Sequence, residues 1–324
     1  MAVSKEKNSV IKTGRFICAA VLICGILILA WLRRGEFSLQ YLSLLASRAL
    51  VLSIITLGAV FVFTVGAFGI SLGASTLVGV VCGALTYNYT QSFYMTLTVC
   101  VAVPVFWCAL SSVLSTFFEL PAYVTAVLML GLLGSLASEI ISVCGGKIIT
   151  QMPQNNSFSS LAPRFGVFLL FFAFCITMYE ILPIGKRQKE LGNDRHRAHL
   201  LGISRRIYSA VGFIFAGIGV GLGAFLILCS DTSIDRTSVS DLGFNIIFAI
   251  VLGGMPISGG RVSRLSSAVL GSASAIVVSE IMRQIIGGVE YFDGMSQALR
   301  AIILFILLMI LKKAERRGGI KNAE

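Results

Sequence analysis

The amino-acid sequence predicts an all-α, polytopic membrane protein with about ten transmembrane helices. Three observations carry this. The chain of 324 residues is 56% hydrophobic and only 13% charged, against roughly 25% charged in soluble domains. Its mean hydropathy is +0.90. Apolar runs of about 20 residues recur along almost the whole length, each long enough to cross a hydrocarbon core of ~30 Å as a helix.

The first span is expected at about 16–32, after KEKNSVIKTGR. It lacks an A-x-A cleavage pattern and its apolar stretch is long for a signal core, so it reads as an uncleaved span. FSLQYLSLLAS is an amphipathic connector to a second span at about 49–67. The third to fifth follow at about 72–88, 93–117 and 121–143. The polar GGKIITQMPQNNSFSSLAPR leads to a sixth at about 165–184. A basic segment, about 186–206, precedes the seventh at about 207–229. SDTSIDRTSVSD separates it from an eighth at about 242–255, and the ninth and tenth are at about 265–285 and 298–311. With no polar stretch long enough for a soluble unit, residues 1–324 form a single transmembrane domain.

The net charge of +11 is a topology signal rather than a nucleic-acid surface. Lysine and arginine accumulate in cytoplasmic loops. With the N-terminus inside, 18 of the 26 basic residues fall on the cytoplasmic side, and both termini end there. Membrane lipid is the expected surrounding, and nucleic acid is not an expected partner. The eight cysteines lie almost entirely in apolar runs without a C-x-x-C pair. They read as small buried hydrophobes, so neither a disulfide framework nor a metal site is expected.

Two stretches break the apolar pattern. LGGMPISGGRVSRLSSAVLGS (252–272) puts glycines, a proline and two arginines between spans eight and nine. Irregular backbone in lipid leaves polar groups unsatisfied, so such a break survives only packed in protein or along a watery path. The alternative is a plain loop with capping glycines. VGAFGISLGAS (65–75) has a similar spelling: Gly66, Ile70, Ser71 and Gly73 match Gly253, Ile257, Ser258 and Gly260 at a constant offset of 187. With Gly254 and Gly259, these form the glycine-break motifs. Paired broken helices in corresponding halves point to a transport path.

No G-x-x-x-x-G-K-[ST] occurs, so any nucleotide must bind another polypeptide. The segment 186–206 is the expected dock for it, with Leu191, Leu200, Leu201 and Ile203 amid charges as on a short surface helix; an ordinary basic loop is the alternative. His196 and His199 stand three apart but lack a ligand set, and read as a polar patch. Glu139, Glu180 and Glu280, the last three residues from Arg283, lie near span ends. No carboxylate sits at mid-membrane, which speaks against a proton-coupled carrier. Neither H-E-x-x-H nor paired intramembrane aspartates occur, so no enzymatic chemistry and no cofactor are expected. Asn88, Tyr87, Tyr123, Thr125, Phe244 and Asn245 are available to line a path for a neutral solute, or to glue helices together; Asn88, Tyr123, Thr125 and Asn245 are the chief candidates.

Three segments resemble the permease subunits of binding-protein-dependent ABC importers of the ribose, xylose and arabinose type. TLGAVFVFTVGAFGISLGAS resembles that family's G-G-I-D-L-S-V-G pattern. LGNDRHRAHLLGISRRIYSAVGFIFAG (191–217) resembles its G-x-N-x-x-A-A-x-x-x-G-I, and FNIIFAIVLGGMPISGGRVSRLSSAVLGS resembles its L-G-G-t-s-l-x-G-G with a glycine-rich helix behind it. The likeness runs from about residue 37 to about 314. It implies a type II importer-like permease fold with cytoplasmic ATPase subunits, an extracytoplasmic substrate-binding protein and a second permease chain, identical or different. The implied solute is a ribose-like simple sugar; a nucleoside or a furanosyl signalling molecule is the alternative, and a self-sufficient secondary carrier is the alternative to an ATP-driven importer. The resemblance makes 186–206 the coupling segment, with Gly192, Asn193, Arg195, Arg197, Leu201 and Gly202 facing the ATPase. Two departures stand out: Gly69 replaces the family aspartate, and Arg197–Ala198 replaces a small pair.

Overall fold

In the computed structural model, residues 18–31, 38–67, 69–118, 120–150, 152, 160–231, 233–234, 242–255, 259 and 264–286 are described, with positions 298, 299, 301–303, 305, 306 and 309 of the last expected span. The elements are α1 (Cys18–Trp31), α2 (Leu39–Thr64), α3 (Ser71–Thr90), α4 (Phe93–Phe117), α5 (Ala122–Val143), β1 (Ile148–Ile149), α6 (Leu161–Ile176), α7 (Pro183–Asn193), α8 (Arg195–Leu200), α9 (Arg205–Leu228), β2 (Ser233–Ile234), α10 (Leu242–Leu252) and α11 (Leu265–Ile286). A π-helical turn, Thr177–Ile181, extends α6.

Among the described residues, six helices are long and apolar enough to cross a membrane: α2, α4, α5, α6 with its π turn, α9 and α11. Over their described residues three further expected spans differ in kind, and the tenth is described only in part. α1 and α10 are apolar but shorter. The 11 residues of α10 reach only about 16 Å, half of a bilayer core; the expected span at 242–255 is therefore a half-helix. α3 is long enough, but it is rich in glycine and hydroxyl residues and buried along most of its length.

α2 and α9 form the centre. α9 carries Gly217, Gly219, Gly221 and Gly223, and the two pairs four apart face different neighbours. A Cβ on Gly217 or Gly221 would fall 2.7 and 2.5 Å from the Cα atoms of Val105 and Val101 in α4. One on Gly219 would fall 3.0 Å from the Cα of Gly58 in α2, and one on Gly223 would strike Ile55. Small residues let helix backbones approach where lipid supplies no hydrophobic drive between helices. α4, α5 and α6 instead present large exposed apolar side chains, among them Phe106, Leu128, Leu132, Leu169 and Leu170. This girdle is what a lipid-facing surface requires.

The two ends of the bundle differ. At one, the C-termini of α2 and α4 meet α7, α8 and the start of α9: Val65 packs with Leu191 and Ala198, and Arg206 lies over the Phe117 ring. At the other, β1 pairs antiparallel with β2, and Arg164 of α6 donates to Ser230 Oγ at 2.7 Å. There Glu280 of α11 accepts from Tyr41 (3.1 Å) and Arg48 (3.3 Å) of α2.

Candidate functional site

Both glycine breaks begin as the same helix stop. At the end of α2, Gly66 takes φ +77°; its N–H donates to Phe63 O and that of Ala67 to Val62 O. At the end of α10, Gly254 takes φ +75°, with Gly254 N–H to Val251 O and Met255 N–H to Ile250 O. These are Schellman motifs, which want glycine at the left-handed position. The structural counterpart of Gly66 is thus Gly254, one residue beyond the Gly253 that the offset of 187 pairs with it. A register counted on small residues alone slips easily, because glycine and serine leave no distinctive side chain to align.

The two breaks also touch. Gly259, at φ +78°, lies so close to the end of α2 that a Cβ would strike Phe63 O and fall 2.8 Å from both Gly66 N and Thr64 O. Gly73, in the first turn of α3, is pressed equally closely on Gly243, in the first turn of α10; a Cβ there would strike Gly243 N. Gly253 packs on Ser267 O of α11, and Ser71 is buried. Ser258 and Gly260 lie outside the described residues.

The first break reaches into the bundle. Phe61 O lies against Gly212, and Val65 packs near Tyr208. Gly79 and Gly83 lie against Ala224 and Leu228, a parallel register that sets Ser71 level with about Ala216. That is 11 residues, or about 16 Å, above Arg205. Val65 therefore stands near the basic end and Ser71 nearer mid-bundle.

Beneath the junction sits the basic platform. Pro183 starts α7. Gln188 is fully buried and donates to Tyr208 O at 3.0 Å, and Arg187 donates to the Tyr208 hydroxyl. Leu191, expected on the partner-facing surface, is buried inside the chain, whereas Leu200 and Leu201 are exposed. Asp194 caps α8, accepting from His196 N (2.9 Å) and Arg197 N (3.2 Å). Ala198 is the buried foot of α8, while His196, Arg197 and His199 stay exposed; Gly192 is half-buried and Asn193 exposed. The Arg195 side chain lies outside the described set. Gly202 closes α8 at φ +70°. Burial holds the Lys189 ammonium below the usual lysine range; Glu180 opposes this, and Arg264 and Lys186 add to it.

Residues 41–311 match the family described as branched-chain amino acid transport system / permease component. The chain belongs to this permease family. Similar proteins include the autoinducer 2 import system permease protein LsrC of Photorhabdus laumondii, 24% identical over 273 residues, covering 81% of this chain and 80% of that one. The LsrC of Escherichia coli O9:H4 is also 24% identical, covering 81% and 78%. In fold, the permease is similar to a solved structure provisionally described as an inward-facing conformation of a metal-chelate type ABC transporter. The TM-score is 0.52 at 13% identity, over 93% of this chain and 99% of that one.

The permease does not gather its four path candidates in one place. Asn88 donates to Ile149 O at 2.9 Å, a tie at the end opposite the platform. Tyr123 and Thr125 lie in the first turn of α5, the former exposed, the latter buried and bonded to Pro121 O at 3.4 Å. Asn245 is half-buried near the start of α10. Sequence reasoning missed Tyr179 and Thr64, which join the platform to the first break, and Gln188, which ties α7 to α9. Only a full contact map reveals them, because each is a lone polar residue in an apolar or basic run.

Proposed function

We propose that this permease is the membrane subunit of an ATP-driven importer carrying a simple, ribose-like sugar across the bacterial cytoplasmic membrane. The observation that carries the reading is the contact of the two breaks at Gly66 and Gly259, directly above the α7–α8 platform. A helix end closed by left-handed Gly66, with left-handed Gly259 resting on it, can tilt without breaking a regular hydrogen-bond ladder. The platform beside them exposes Arg197, Leu200 and Leu201 to a partner. ATP hydrolysis belongs to a separate ATPase subunit that docks on Gly192, Asn193, Arg195, Arg197, Leu201 and Gly202. A binding protein delivers solute at the opposite end, and a second permease chain completes the path.

The platform end faces the cytoplasm, since lysine and arginine concentrate there, and both termini lie on that side. The chain is one transmembrane domain. Its ten crossings, in a type II importer-like arrangement, include α10 as a half-helix. Relatives described as autoinducer 2 permeases favour a second reading, a furanosyl signalling molecule as solute.

Uptake into lipid vesicles tests the proposal, with labelled ribose as probe. Entry must require ATP, the ATPase and the binding protein together. Flux through the purified permease alone would discard it in favour of a self-sufficient carrier.

A further inference from the structure

We infer that Tyr179 is the positioning residue through which movement of the platform reaches the junction of the two breaks. The inference rests on the importer reading above.

Pro183 disfavours a helical conformation at the residue before it, and Leu182 is accordingly extended. Its N–H donates to Thr177 O at 2.9 Å, an i to i+5 bond that widens α6 into the π turn. Such turns often mark functional positions. Here it delivers Tyr179, whose side chain is fully buried, into the space between platform and α2.

Tyr179 is held from both sides. On the platform side, Gly185 of α7 packs on the Tyr179 backbone so tightly that a Cβ would strike Tyr179 O. The Lys189 ammonium lies 4.0 Å from its ring centroid, within cation–π range. On the other side, the ring meets Phe61 of α2 edge-on at 5.4 Å, and its hydroxyl lies 2.9 Å from Thr64 Oγ1. The Thr64 hydroxyl already donates its one hydrogen to Val60 O at 2.6 Å, so Tyr179 donates to Thr64. Thr64 is the last residue of α2; its carbonyl oxygen is one of the atoms Gly259 rests on. A displacement of α7 thus pushes a buried ring whose hydroxyl grips the turn where both breaks meet.

The test uses the permease co-purified with its ATPase in lipid vesicles. Ala67→Cys, next to Gly66 and buried, reports on the junction in a background with the exposed Cys24 and Cys144 replaced by serine. A membrane-impermeant maleimide is applied with and without ATP and vanadate. The parent's labelling rate changes on nucleotide addition. Tyr179→Phe and Thr64→Val each shrink that change about five-fold, as loss of one buried hydrogen bond shifts a two-state balance. Both variants keep their ATPase bound and hydrolysing, and the double variant is no worse than either single. A full response in both variants overturns the inference and leaves the importer reading standing. Parallel loss of response, thermal stability and ATPase association overturns it too, by assigning Tyr179 a merely structural role. A parent without any nucleotide response overturns the importer reading and this inference together.

Discussion

The glycines of α9 and those of the two breaks are chemically identical and used in opposite ways. In α9, Gly217 to Gly223 keep ordinary helical backbone and lack side chains so that α2 and α4 can lie against it. At the breaks, Gly66, Gly254 and Gly259 take positive φ, and the missing Cβ permits a conformation as well as an approach. The first use makes a rigid spine. The second makes a stop that two elements share. Glycine content alone therefore says little; what matters is whether the backbone around it is regular.

The contrast predicts that α9 substitutions damage the fold and break substitutions damage the movement. Gly221→Val forces a branched side chain into the Val101 and Cys100 backbone of α4. Backbone cannot repack, so the cost should exceed the ~1–3 kcal/mol typical of overpacking; yield of folded protein in the membrane should fall sharply. Normal yield and thermal stability would dissolve the comparison. Gly254→Val should next abolish uptake while leaving membrane insertion largely intact, measured as transport per inserted molecule; Gly259→Val should abolish uptake too, with some loss of stability because its Cβ meets the end of α2. Normal uptake by both would remove the breaks from the mechanism.

Smaller still is the effect of reversing charge on the platform. Arg195→Glu with Arg197→Glu should weaken ATPase co-purification by about ten-fold, as loss of complementary charge at an interface does, without changing insertion. Unchanged co-purification would move the docking surface elsewhere. At the low end stands Gly131→Ala on the surface of α5, where an added Cβ meets nothing within 4 Å. It should change stability by less than about 0.5 kcal/mol. A large loss there would mean that α5 is covered by something more tightly packed than lipid.

Much of the architecture was legible because hydropathy is a local property. The spans at 93–117 and 121–143 coincide closely with α4 and α5, where apolar runs end at polar or proline-bearing turns. The eighth span fails because Gly253 and Gly254 end the helix at Leu252, although the apolar run reads through to Met255. The platform was legible as a basic segment. Its division into a buried α7 and an exposed α8 was not, because Leu191 and Leu200 look alike until the bundle buries one. Among the site residues, Gly66 and Gly254 were visible as punctuation. Tyr179 was invisible: nothing in TMYEILP distinguishes it from any other aromatic near a span end.

By itself, the amino-acid sequence determined that this chain lives in a membrane, roughly where it crosses, and which residues interrupt it. Those outcomes follow from transfer energies and φ preferences, which each residue carries wherever it stands. Only the tertiary structure decided that two interruptions 187 or so residues apart rest on each other, and that a tyrosine joins the first of them to the platform. Contacts between distant segments depend on how whole helices pack, and no single stretch of the chain encodes that.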